Sequence, residues 1–230
     1  MSTAAIQGIP VARTSVDVRA QFIMKTYATL FVAIAAFAGV EVAIFQSGLS
    51  LPIAQLVGGS PFVMFGGFIL VSWLGSRVAM TSQNVMATYA ALAVFVLFES
   101  LFFVPLLYMA DQVAPGAIGS AAQVTLAGFA GLTIVAFKSR KDFSFLGSLL
   151  AWGGIMALVL IVASMIFGFQ LGVFFSVAMV AFSGAAILYD TSNILRHYPA
   201  DRHAAAALQL FASVAMMFWY VLRIFISSRD

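Results

Sequence analysis

Seven apolar runs, each close to the ~20 residues that a helix needs to cross a hydrocarbon core, leave this chain few folds to choose from. They cover residues 26–46, 61–81, 86–110, 116–137, 143–167, 171–195 and 204–226. Inside lipid every backbone N–H and C=O must be satisfied internally, which admits helices or a closed barrel. Barrel strands alternate apolar and polar residues, and these runs are continuous. Only 8% of the residues are charged against 63% hydrophobic, where a soluble domain carries about 25% charged. The reading is an all-α, polytopic membrane bundle of seven transmembrane helices, with the lipid bilayer as its first partner.

The connections are short, the longest running from Gln46 to Ser60, and all are expected to be loops. Residues 25–230 are therefore expected to form one domain, preceded by a flexible, polar cytoplasmic tail over 1–24. The first apolar run is too long and begins too late for a typical signal peptide. Lys and Arg are retained on the cytoplasmic side of a membrane. With the N-terminus inside, that side holds Arg13, Arg19, Lys25, Arg77, Lys138, Arg140, Lys141, Arg196 and Arg202, while only Arg223 and Arg229 fall outside. The net charge of +3 follows this membrane logic and is no sign of nucleic-acid binding. The expected location is a bacterial inner membrane with a cytoplasmic N-terminus.

Ionisable groups inside such helices are expensive; they face the protein interior or a water-filled cavity and need partners. Five occur here: Glu41, Arg77, Glu99, Asp190 and Arg223. At ~1.5 Å rise per residue, Asp190 lies about 7 Å inside the cytoplasmic end of the sixth run, and Arg77 lies at a similar depth in the second. That match predicts an Arg77–Asp190 pair, read as a gate opened by protonation or a cation, as a static salt bridge, or as two groups snorkelling to the interface. Glu41 and Arg223, both near the outer face, are expected to form a structural ion pair. Glu99 is about 20 Å deep by the same rise, with no basic residue level with it. It is expected to hold its proton, either lining a cation path or bonded to a backbone carbonyl.

Other chemistry finds no support. There is no cysteine, hence no disulfide or thiolate metal site. His197 and His203 sit six apart in a polar loop, without a spacing that would bring them onto one metal. No phosphate-cradling glycine loop, nucleophile elbow or metalloprotease motif is present. Neither catalysis, a resident cofactor nor a bound metal is expected.

The segment Ala181-Phe-Ser-Gly-Ala-Ala-Ile-Leu-Tyr-Asp190-Thr-Ser-Asn-Ile194 resembles the sixth-helix signature of the Bax inhibitor-1 family. Lys138-Ser-Arg-Lys-Asp-Phe-Ser-Phe-Leu-Gly147 is similar to that family's charged loop before the fifth helix, and Phe98-Glu99-Ser with Pro105 to its third helix. Ala207-Leu-Gln-Leu-Phe-Ala-Ser213 matches the last helix in spacing, and the likeness spans about residues 20–226. It implies a seven-helix fold with the last helix central. For some members it also implies a pH-sensitive calcium leak, in which two aspartates on the last two helices share a proton and an arginine of the second helix controls the pore.

Carried onto this chain, Asp190 takes the first aspartate position, Arg77 is a candidate for the arginine, and the second aspartate position falls on Ser213. Two carboxylates held close cannot both ionise; one carboxylate beside a serine has no such coupling, and paired with Arg77 it would stay charged. A bacterial branch of the family also lacks the second aspartate, and at least one of its members binds and moderates a membrane-anchored AAA protease of the FtsH type. Two functions follow as expectations. One is a passive cation leak, with calcium or protons as candidate permeant ions, through Asp190, Arg77, Glu99 and Ser213. The other is a non-transporting partner that modulates such a protease, with the 1–24 tail as its handle.

Overall fold

The computed structural model describes residues 8–228 apart from 83 and 140; Arg140 and Arg229 of the charge reading lie outside that set. Among the described residues, eight α-helices follow a short 3₁₀ turn, Val11–Arg13: α1 (Val16–Gln46), α2 (Ser50–Gly58), α3 (Pro61–Thr81), α4 (Val85–Val113), α5 (Ala117–Ser139), α6 (Leu146–Phe167), α7 (Gly172–Arg196) and α8 (His203–Ser227). Six of them, α1 and α4 to α8, are long and apolar enough to cross a bilayer. The second predicted run coincides with α3, whose clearly apolar stretch is Gly66–Gly75.

Local chemistry explains the helix ends. Pro61 opens α3, where its missing N–H costs nothing. The Asn84 side chain caps α4 by accepting from the Met86 N–H at 2.9 Å, satisfying one of the orphan donors of the first turn. Gly168 closes α6 with φ +71°, a left-handed conformation that a side chain would resist.

The connection from Gln46 to Ser60, expected as a loop, is corrected by α2. Gly48, at φ +74°, turns the chain out of α1, and Pro52 falls in the first turn of the new helix, where proline is tolerated. The nine-residue α2 packs mainly on α4. A Cβ at Gly58 would meet Pro105 at 3.7 Å, so the short helix covers the part of α4 where proline removes a backbone donor.

Helix α8 is central. It packs against α1, α3, α4, α5 and α7, and Ala204 to Ala207, Leu210 and Leu222 on it are fully or almost fully buried. Small side chains allow that many neighbours, because membrane helices associate by close van der Waals approach. Gly184 of α7 shows how close: a Cβ there would lie 3.3 Å from Leu132 of α5 and 3.6 Å from Met217 of α8. At the other extreme, α6 leans mainly on α7 and buries only Ala157.

The flexible tail expected over 1–24 is not what the described part of that segment forms. Residues 8–15 lie along the loop between α7 and α8, and α1 has begun by Val16. The Val11 N–H donates to the Tyr198 carbonyl at 2.8 Å and the Ala200 N–H to the Ile9 carbonyl at 3.2 Å. Pro10 bridges Pro199, and Val11 is completely buried. Composition misled here: a polar segment flanking one apolar anchor can dock as soon as another loop offers backbone partners.

Candidate functional site

Asp190 lies six residues before the end of α7 and is 3% exposed. Its Oδ2 accepts a hydrogen bond from the Ser213 hydroxyl of α8 at 2.6 Å. Ser213 is equally buried, so the contact ties the two most intimately packed helices together.

A cavity of about 550 Å³ opens beside this contact. Asp190 and Asn193 from α7, His197 and Tyr198 from the following loop, Ser144 before α6 and Gln209 of α8 line it. Burial, and next the nearby Asp190, push the Tyr198 phenol up, so it remains a neutral hydrogen-bond donor at physiological pH. The hydroxyls of Tyr27 on α1, Thr133 on α5 and Thr191 on α7 are buried. Tyr27 lies close to both threonines and to Asp190. Buried hydroxyls normally find partners, so a polar seam runs past the carboxylate into the bundle.

The predicted Arg77–Asp190 pair is not formed. Arg77 is exposed on α3, with its guanidinium 5.1 Å from the centre of the Trp73 ring, a cation–π arrangement one turn apart on the same helix. Equal depth had suggested the pair, but depth leaves the direction around the helix axis open, and Arg77 points outward. The Glu41–Arg223 ion pair also fails. Glu41 follows Phe22, Thr26, Leu30 and Ala33 on the buried stripe of α1, and neither carboxylate oxygen has a hydrogen-bond partner among the described residues. Arg223 is half-buried on α8. Glu99 is 3% exposed within α4 and does not line the Asp190 cavity.

An acid without partners stabilises nothing, so Glu41→Leu is expected to raise stability. The gain should be about 1–3 kcal/mol, the cost of leaving a buried polar group unpaired, read as a higher melting temperature in detergent. A fall of that size would restore the ion pair with Arg223.

With this geometry in view, comparison with known proteins becomes specific. The model of the family described as "Inhibitor of apoptosis-promoting Bax1" matches residues 19–230. The chain belongs to the Bax inhibitor-1 family. Its relatives include an uncharacterized protein of Pseudomonas aeruginosa, 30% identical over 71% of this chain and 73% of the relative. Another, from Neisseria meningitidis, is 32% identical over 54% of this chain and 55% of its own length. An uncharacterized Campylobacter jejuni protein is 34% identical over 47% of this chain and 48% of its own length. The matches to the Neisseria and Campylobacter proteins thus span only about half of those relatives.

In this Bax inhibitor-1 family member the loop from α5 to α6 is fastened to α7 beside the cavity. Ser192 Oγ donates to Asp142 Oδ1 at 3.4 Å and accepts from the Phe143 N–H at 3.0 Å. His197 Nε2 stands 3.6 Å from Asp142 Oδ2. The Ser144 backbone N–H holds the Asp142 carboxyl below its usual range against the opposing effect of burial, with smaller help from the Ser144 hydroxyl, His197 and Arg196. A depressed value means that the stability these contacts lend, most of it local to the loop, is present above the ordinary carboxylate pKa of ~3.9 and is lost as pH falls through the lower folded value. His197, expected as a solvated loop residue, is half-exposed and lines the cavity. Asn193, Tyr198, Gln209 and Ser144 were not singled out from sequence. The signal that could have found two of them is helical spacing around Asp190: Asn193 follows it by three residues, and Tyr198, with His197, continues that face past the helix end.

Proposed function

We propose that this protein is an integral membrane regulator that passes cations, calcium or protons, down their gradient, with the Asp190–Ser213 contact as its closed gate. In this reading α3 is the seventh span: its 21 residues extend about 31 Å at 1.5 Å each, enough for the ~30 Å hydrocarbon core. The lysine and arginine distribution favours a cytoplasmic N-terminus and a cytoplasmic Asp190 cavity, and bacterial relatives favour an inner membrane. Glu99 on α4 is proposed as a second acidic group farther along the path. No latch is assigned to Arg77.

The single observation that carries this reading is a buried carboxylate held by one serine between a polar cavity and a seam of buried hydroxyls. Lipid-embedded helices gain nothing from storing a carboxylate there unless it acts on a polar species. The test is dye-reported calcium uptake by reconstituted vesicles between about pH 6 and 8, the range of a sensor titrating near neutrality. Asp190→Asn is expected to lower the flux about tenfold or more, since a carboxylate at ~4 Å is worth about 4 kcal/mol to a unit charge at an effective dielectric near 20. Equal flux in wild type and Asp190→Asn would end the proposal.

One observation favours the second reading, a non-transporting modulator of an FtsH-type membrane protease. The segment offered as the handle is laid against the loop that walls the Asp190 cavity, so a partner gripping that segment would act on the site. Stoichiometric co-purification with a membrane protease at native expression, without calcium flux, would support it.

A further inference from the structure

On the opposite flank of α1 from the gate, an open apolar groove of about 530 Å³ runs between α1 and α4. Thr29, Val32, Ala36 and Val40 line one wall, and Ala93 and Leu97 belong to the other. The α1 residues recur at steps of three and four, a single helix face, and Lys25 begins that same stripe one turn earlier. From Ala28 to Val40 the groove extends about 18 Å at 1.5 Å per residue, close to one leaflet of a ~30 Å hydrocarbon core.

Its end toward the N-terminus of α1 is polar. Tyr89 lines the groove there and its hydroxyl lies 2.9 Å from Nε2 of His203. Lys25 is exposed, makes no ion pair among the described residues, and lies near enough to the His203 ring for its charge to act on it. The acidic residue close by, Asp201, is already paired with Arg202 at 3.5 Å. An apolar slot one leaflet long, capped by an uncompensated ammonium and a phenol–imidazole pair, has the chemistry of a phospholipid: acyl chain below, phosphate above.

We infer that the α1–α4 groove holds one anionic phospholipid, with an acyl chain between Ala36 and Ala93 and its headgroup phosphate against Lys25, Tyr89 and His203. Charge complementarity decides the occupant. A helix of a partner protein or a second copy would leave Lys25 without a counter-charge, and a zwitterionic lipid would offset its own phosphate. The site is independent of the gate reading, since none of its residues lines the Asp190 cavity.

The experiment is native mass spectrometry of the full chain in mild detergent, titrated with dioleoyl phosphatidylglycerol or dioleoyl phosphatidylcholine. Wild type is expected to retain one phosphatidylglycerol with about fivefold preference, the factor that one basic residue near an anionic surface supplies. Lys25→Ala should erase the preference and leave phosphatidylcholine binding unchanged, while Lys138→Ala, at the end of another helix, should bind as wild type. Ala36→Phe and Ala93→Phe, which fill the groove, should each lower retention of both lipids at least fivefold. Equal affinities for the two lipids in wild type, equal losses in Lys25→Ala and Lys138→Ala, or full retention in both filled variants would overturn the inference. The chain lacks cysteine, so Ala36→Cys gives a further reading: a disulfide-linked dimer in membranes would make a second copy the occupant and overturn it too.

Discussion

Ser213→Asp should convert a weakly coupled gate into one that opens steeply with pH. The new carboxyl would replace a hydroxyl now 2.6 Å from Asp190 Oδ2. Two carboxyls at that separation share one proton as long as one is available. Once it is lost, like charges about 4 Å apart repel by about 4 kcal/mol at an effective dielectric near 20. That is enough to drive α7 from α8 and change calcium flux by two orders of magnitude or more between about pH 6 and 8, the flux rising with pH. Ser213→Ala, which removes the donor and adds no charge, should not acquire that steepness. The check is the flux assay in vesicles buffered at several pH values. A flux-versus-pH curve in Ser213→Asp no steeper than in wild type would mean that the two positions are not coupled through the path.

The second large effect concerns the docked N-terminal segment. Val11 is fully buried against the α7–α8 loop and its N–H is bonded to Tyr198. Val11→Asp places an unpaired charge there, which costs several kcal/mol unless the segment leaves its site. Undocking frees the backbone around Arg13, whose side chain is already exposed, to enter the trypsin active site. If opening is fast relative to cleavage, the rate follows the open population, and a loss of about 3 kcal/mol corresponds to more than a hundredfold faster nicking. Quantified gel bands over time would measure it. Equal cleavage in wild type and Val11→Asp would mean that the segment is free in solution, as its composition alone suggests.

How much of this was legible in the sequence depends on what kind of information each feature needs. The seven apolar runs each coincide with a long helix, because length and hydropathy are one-dimensional properties. The short α2 was hidden by its punctuation: Ser47-Gly48 and Gly58-Gly59-Ser60 read as loop, although the residues between them suffice for two turns against α4. Depth along a helix was legible and direction around it was not, which is why Arg77 and Asp190 looked paired and Glu41 and Arg223 looked paired. Glu41 does fall on the repeating stripe of Phe22, Thr26, Leu30 and Ala33, so its burial could have been read. The want of a partner could not.

Asp190 with Ser213 was found through resemblance, since nothing in their spacing places one helix against another. The cavity was out of reach because half its wall comes from a loop. A loop's course depends on what docks on it, here the segment around Val11. The same dependence made a polar N-terminal stretch look free.

The account rests on Asp190 and Ser213 closing the floor of a cavity that is open to water on one face of the membrane. The absence of cysteine makes this directly measurable by placing single cysteines at Asn193, which lines the cavity, and at Ser213, in inside-out and right-side-out vesicles with a membrane-impermeant maleimide. The account predicts rapid labelling of Asn193→Cys from the cytoplasmic face only, with Ser213→Cys protected in resting vesicles. Labelling of Ser213→Cys as fast as Asn193→Cys, or no labelling of Asn193→Cys from either face, would contradict it.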